Sequence, residues 1–357
     1  MIPHSRLSLG QAEAAAVQAV LASGQLAQGP RVEALERGIA AFIGVAGGVA
    51  VSSGTAALEL ALRGLGIEPG DEVVMPSYVC AAPWLAARRA GATVRLVDID
   101  PACYGIDPLE VAKVLSARTR AIIAPHLFGL PADLTGLEAL GVPIIEDCAH
   151  TLGATEAGRP VGTVGAATVC SFYATKLLCA GEGGMVLSND PNLLDRVRAL
   201  REYDERAELP AAAFNYKMTD LHAAVGLQQL QQLPTLLARR GAVAARYNAA
   251  LGGSGLRLPE PPKGRTHVFY RYVVRLDPES RSLSLAQMFT ALGKRGVQCR
   301  RPVFRPVHQY LKSLTAGHFA ATERVMATAV SVPLYPALTD DEVTHVIKAL
   351  TEVLAKG

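Results

Sequence analysis

The sequence predicts an α/β protein: a large layered domain on a mainly parallel sheet, followed by a smaller α+β domain. Three observations carry this. Short β-branched runs alternate with helical stretches. Several of those runs are continuously apolar rather than alternating, as expected of strands covered on both faces. A Gly- and Pro-rich stretch, GGSGLRLPEPPKGRTH (252–267), then breaks the pattern late in the chain.

The candidate strands are GVAVSS (48–53), EVVMP (72–76), TVRLVD (93–98), RAIIAP (120–125), PIIEDC (143–148), ATVCSF (167–172) and GMVLS (184–188). Helical patterns such as TAALELALRGL (55–65) separate most of them. The last two strands are close enough in sequence to pair directly. Two long helices follow, at 219–233 and 234–251. The stretch at 252–267 reads as a hinge, which divides the chain into a large domain, 1–252, and a small one, 253–357. In the small domain HVFYRYVVRL (267–276) alternates like a half-exposed strand, and helices are expected at 284–294 and 339–355.

Composition narrows the function. Half of the 357 residues are hydrophobic and 19% are charged, enough apolar material for a large core. The net charge is +3, and the basic residues form no tract, which argues against nucleic acid as a partner. No run of about 18 apolar residues exists, which argues against a membrane span. The N-terminus does not read as a signal peptide. Cys80, Cys103, Cys148, Cys170, Cys179 and Cys299 form no CxxC pair and no metal spacing. They read as buried small hydrophobes of a reducing cytoplasm, with no metal site, one of them being catalytic as the alternative.

Three segments carry chemistry. In SFYATKLLCAGEGGMV (171–186), Lys176 follows an apolar strand and precedes a glycine-rich turn. A nucleophilic lysine needs such an apolar setting; a lysine snorkelling at a strand end has the same look. In PIIEDCAH (143–150), Asp147 closes an apolar strand on the edge where open α/β sheets bind ligands. A carboxylate there suits a pyridinium nitrogen, and a helix cap would explain it equally. His150 is three residues away. In SSGTAAL (52–58) a strand opens directly into a helix, a start whose amides and hydroxyls suit phosphate, although Ser52 or Ser53 serves as well as a plain cap. Together the three supply a phosphate cradle, a pyridinium partner and an amine, which is the set required by pyridoxal phosphate (PLP). A nicotinamide cofactor fits poorly, because no GxGxxG follows an early strand.

At this point the sequence resembles the DegT/DnrJ-type sugar aminotransferases, a branch of PLP fold type I. The likeness runs through SGQLAQGPRVEALE (23–36), SSGTAAL, GDEVVMPSY (70–78), VDIDPACYGIDP (97–108), IEDCAHTLGA (145–154), SFYATKLLCAGEGG (171–184), NYKMTDLHAAVGLQQL (215–230), PVHQY (306–310) and SVPLYPALTDDEV (331–343). The resemblance implies an aspartate-aminotransferase-like large domain with Lys176 as the Schiff-base lysine. It implies Ser171, Gly54, Thr55 and Ala56 at the phosphate, Asp147 at the pyridine nitrogen, and His150 in place of a glutamine at the ring hydroxyl. It also implies Asn215 reaching the phosphate of a partner subunit, hence a homodimer with shared sites.

Some positions depart from the family pattern. Cys80 stands where an aromatic often stacks on the cofactor, with Tyr78 or Trp84 as possible substitutes. Tyr173 replaces a frequent histidine, and VFRPVH (303–308) replaces HYxPLH near the sugar site. The implied reaction is transfer of an amino group from L-glutamate to a keto-sugar, nucleotide-linked, in amino-sugar or cell-surface polysaccharide synthesis. A keto-cyclitol aminotransferase, a PLP-dependent sugar dehydratase and a non-catalytic PLP-binding regulator are the alternatives. Relatives that dehydrate carry histidine in place of the lysine, so Lys176 favours transamination.

Overall fold

The computed structural model describes residues 1–204, 210–276, 283–311 and 319–355. Its main sheet has seven strands: β1 (Gly47–Val51), β2 (Glu72–Pro76), β3 (Thr93–Val97), β4 (Thr119–Pro125), β5 (Ile144–Asp147), β6 (Ala167–Ser171) and β7 (Gly184–Ser188). They lie in the order β1-β7-β6-β5-β4-β2-β3. All neighbours from β3 to β6 are parallel, and β7 runs antiparallel to both β6 and β1. The expected pairing of 167–172 with 184–188 is therefore formed, with Cys170 opposite Met185.

The sheet is wrapped on both faces, which explains its unbroken apolar runs. Every residue of β2 and of β7 is buried. β3 alternates instead, because it is the edge strand and faces solvent on one side. Six of the strands point their carboxyl ends to one edge, and the loops leaving that edge carry the chemistry-bearing residues.

A second sheet joins β8 (Leu256–Arg257), β9 (Tyr272–Leu276) and β10 (Ala329–Val332), all antiparallel. Its core includes Ile2 from the N-terminus and Val243, Ala244, Tyr247 and Leu251 from a helix that precedes the Gly/Pro stretch. β8 lies inside that stretch, paired with the end of β9.

Two expectations change. The region 219–251 is one helix, Asp220–Leu251, with Pro234 inside it. An internal proline costs about 3 kcal/mol through a lost hydrogen bond and a clash. Here Ala223 and Leu233 are buried in a core shared with Leu35, Phe172 and Leu178, and Val243 to Leu251 in the core of the second sheet. Packing on both sides of the proline holds the helix together. HVFYRYVVRL is a strand only from Tyr272 onward. Phe269 has a positive φ of 50°, and the amides of Val268 and Arg271 bond Gly129 and Phe128 on the opposite loop. Tertiary hydrogen bonds thus displace the strand at its first half.

Candidate active site

A cavity of about 890 Å³ opens at the carboxyl edge of the main sheet. That size suits a cofactor with a bound substrate. Ser53, Gly54, Thr55, Cys80, Asp147, His150, Ser171, Tyr173 and Lys176 all line it.

The phosphate-type corner forms where β1 turns into the helix Gly54–Gly64. Ser53 is the N-cap, and its Oγ accepts the Ala56 N–H at 3.1 Å. The capping role weighed for Ser53 is real, and it engages the Ala56 amide. Ala56 is buried and does not line the cavity, unlike Gly54 and Thr55. These two are the first helical residues, whose amides have no partner within the helix. A Cβ on Gly54 would stand 2.7 Å from Ser171 Cβ and 3.1 Å from its Oγ. Glycine is what lets the end of β6 bring the Ser171 hydroxyl against the helix start, giving amides, hydroxyl and helix dipole together.

Asp147 ends β5, and its Oδ1 accepts the Ala149 N–H at 3.0 Å. Burial pushes its carboxyl above the ordinary range, against the pull of the Ala149 amide, Lys176 and His126. A cation placed against it would reverse that, as a protonated pyridine nitrogen does. Beside it, His126, Glu146 and Cys148 converge in the interior. Glu146 accepts the amides of Gly162, Val164 and Gly165 at 2.6–2.8 Å and contacts His126 at 3.2 Å. This carboxylate holds the 162–165 loop, and its lone pairs are used by that work.

Lys176 sits in a loop that folds back on itself after β6. The amides of Ala180 and Lys176 donate to Phe172 and Tyr173, and Phe172 donates to Gly183. Phe172, Leu177 and Leu178 are buried and anchor the loop. Lys176 Nζ lies 5.4 Å from the centre of the Tyr270 ring, a favourable cation–π position. The other face of the setting is His150, stacked on Tyr270 at 4.2 Å between ring centres. Burial holds His150 well below its usual pKa, so it is neutral, and its Nδ1 takes the Phe128 N–H at 3.5 Å.

Cys80 is solvent-accessible on the cavity wall, with its thiol pushed up by burial among protein groups. Neither suggested aromatic substitute reaches the cavity. Tyr78 is fully buried between Tyr104 and Phe128, and Trp84 packs on the large core beside Arg88. Tyr173 is 47% exposed and lies on the cavity lining. Asn215 is exposed and lies outside this chain's cavity, its Oδ1 taking the Lys217 N–H at 3.3 Å; exposed Phe214 is its neighbour.

Several lining residues went unread in the sequence. Tyr270 and Arg271 fall in the stretch taken as a strand. Arg300 and Arg301, with Arg305 of the VFRPVH loop that the sequence already placed near the sugar site, also line the cavity, are exposed, and form no ion pair among the described residues. Three arginines within six positions were the available sign. His308, beside them, bridges Ser77 Oγ (2.6 Å) and Glu323 (2.6 Å), tying this loop to the end of β2.

The sheet, its single antiparallel strand and the cavity on its carboxyl edge define an enzyme with the fold of PLP-dependent aminotransferases. Comparison with known proteins makes this particular. The profile of the DegT/DnrJ/EryC1/StrS aminotransferase family matches residues 8–351, and the chain belongs to that family. Spore coat polysaccharide biosynthesis protein SpsC of Bacillus subtilis is 33% identical over 377 residues, covering 99% of this chain and 97% of its own length. The aminotransferase TlmJ from Streptoalloteichus hindustanus superposes with a TM-score of 0.92 at 36% identity, covering 100% of this chain and 99% of its own. The PLP form of Spr1654 from Streptococcus pneumoniae, described as a sugar aminotransferase, gives 0.92 at 26% identity over 99% of each chain. The chain is an aminotransferase, and its cofactor is PLP.

Proposed function

We propose that the chain transfers an amino group from L-glutamate to a keto-sugar carried on a nucleotide, with Lys176 as the cofactor lysine. The observation that carries this reading is the common cavity of Lys176, Asp147 and the Gly54–Thr55–Ser171 corner. Bound there, PLP supplies an electron sink for negative charge at the donor's α-carbon. The amides of Gly54 and Thr55 and the Ser171 hydroxyl hold the phosphate, with Ala56 serving through the helix start. Asp147 keeps the ring nitrogen protonated, and neutral His150 meets the ring hydroxyl. The Lys176 amine takes the proton from the donor's α-carbon and holds it for return. Cys80 and Tyr173, both on the cavity lining, would contact the cofactor.

The sugar class is supported by what SpsC and Spr1654 are described as doing. The nucleotide is supported by Arg300, Arg301 and Arg305, cations suited to a diphosphate, with Phe304 83% exposed beside them. In this reading residues 253–357 are a small domain that carries the substrate wall, and two copies associate so that Asn215 reaches the partner's phosphate corner. Among the described residues no helix is long and apolar enough to cross a membrane. The six unbridged cysteines support a cytoplasmic setting.

The test is a panel of keto-sugar nucleotides incubated with glutamate and the holoenzyme, read by mass spectrometry. The expected result is an amino-sugar nucleotide together with 2-oxoglutarate. Turnover of free keto-sugars or keto-cyclitols alone would overturn the nucleotide assignment.

A further inference from the structure

Behind the active site lies a second, smaller chamber of about 40 Å³. Thr175, Lys176, Tyr270 and Arg271 line both chambers and form the partition between them. The rear walls come from the N-terminal segment His4–Ser8, the long helix and the turn after β10.

Its chemistry is one-sided. Arg240, projecting from the long helix, is 6% exposed. One of its terminal nitrogens donates to the carbonyls of Phe269, Tyr270 and Leu334, each at 3.2 Å. It has no carboxylate partner among the described residues, and its Nε has no partner at all. Burial lowers its pKa to about 10, so it stays charged at neutral pH. Ser8 Oγ and Tyr335 Oη are likewise buried without a partner, and both residues line the same chamber.

Arg271 adds a second guanidinium. Its contact is the His4 ring, at 3.1 and 3.3 Å. Burial, with Arg271 and Arg300 nearby, holds His4 at about 3, so His4 is neutral and brings no negative charge. Glu13 reaches this wall through Gln229, but its oxygens are taken by Gln229, Gln232 and the Gly10 amide. Arg6, also on the lining, is paired with Glu342 at 2.8 Å, and Glu13 is held by neutral donors at the far side of Gln229, so among the described residues no carboxylate pairs with Arg240 or Arg271.

A buried, unpaired charge is costly, and so is each orphaned polar atom. About 10–15 Å³ of such volume holds one water, so this chamber admits a few waters or one small ion. Water satisfies donors but leaves the charge. We propose that the rear chamber binds a small monovalent anion of chloride size, held by Arg240, Arg271, Ser8 and Tyr335. It would neutralise Arg240 behind the partition that contains Lys176, and Arg271 within it.

The test uses the holoenzyme and bromide. Melting is measured in sodium chloride, sodium bromide and sodium gluconate at equal ionic strength, gluconate being too large to enter. Chloride and bromide are expected to raise Tm saturably over gluconate. Crystals grown in bromide are expected to show an anomalous peak in the chamber. Ser8→Ala and Tyr335→Phe each remove one donor with little change of shape. Each should weaken bromide binding about 10-fold, the effect of losing one hydrogen bond to an ion. Water alone in the chamber of bromide-grown crystals would overturn the proposal. So would a halide effect on Tm that both substitutions leave unchanged.

Discussion

The wall made by β1, β5 and β6 and the wall made by residues 300–310 face one cavity, yet they are built differently. The first places Asp147 and Ser171 at strand ends in a continuous sheet, where register fixes each side chain, with Gly54 at the helix start beside Ser171. Asp147 lies opposite Val169 of β6 and Pro125 of β4, and its position follows from those pairings. The second wall is a loop that ends in one short helical turn, Val307–Tyr310. Arg300, Arg301, Phe304, Arg305 and Tyr310 are all exposed, and the segment is tied down at its ends by a backbone bridge from Arg300 to Ser331 and by the Ser77–His308–Glu323 hydrogen-bond chain. The sheet wall suits a ligand that never varies. The loop wall can change its residues without disturbing the sheet, which is where a family would vary its substrate.

That contrast is best broken or sharpened by substitution. The largest effect is expected on the sheet side. Lys176→Ala should cut turnover by at least ~10³-fold, the upper part of the range for a lost proton-transfer group. Far-UV circular dichroism should be unchanged, and borohydride reduction should no longer leave cofactor mass on the 171–184 peptide. Turnover near that of the parent would remove Lys176 from the chemistry. Next, Asp147→Asn should lower kcat about 10- to 100-fold, the equivalent of one charge-assisted hydrogen bond. A change confined to KM would argue against the ring-nitrogen role.

On the loop side the effect should be smaller and different in kind. Arg305→Gln should raise KM for a nucleotide-linked substrate about 10-fold and leave kcat within about twofold. Its KM for glutamate should not move, which separates the two substrates in one experiment. A fall in kcat with KM unchanged would mean that this wall takes part in the chemistry. The smallest effect is expected at Cys80, where the two walls meet. Cys80→Phe should tighten cofactor binding about fivefold, the worth of an aromatic stack of about 1 kcal/mol. Fluorescence titration of the apoenzyme reads this directly. Weaker binding would show that the thiol side of the cavity has no room for a ring.

Much of the sheet wall was legible beforehand. Seven apolar runs became seven strands, and Gly54, Thr55, Asp147, His150, Ser171 and Lys176 meet in one cavity. Strand ends and helix starts leave local marks, because Gly, Ser and Asp are required there for backbone reasons. What the sequence left open has a common cause. The Ala56 amide is engaged by the Ser53 cap, a detail fixed by cap geometry. Tyr78 and Trp84 were plausible ring partners until the core took them. The two helices expected at 219–233 and 234–251 are one, because packing on both sides outweighs the local penalty of Pro234.

By itself the sequence determined the layered α/β class, the order of the strands along the chain and the edge chemistry at Asp147 and Lys176. These depend on local pattern: periodicity, small residues at turns, and polar residues where apolar runs end. Only the tertiary structure decided that Tyr270 stacks on His150 beside Lys176, that three arginines complete the cavity, and that Arg240 is buried without a counter-charge. Each of those depends on segments roughly 30 or more positions apart being brought into contact, and a contact of that range leaves no periodic trace in a single sequence.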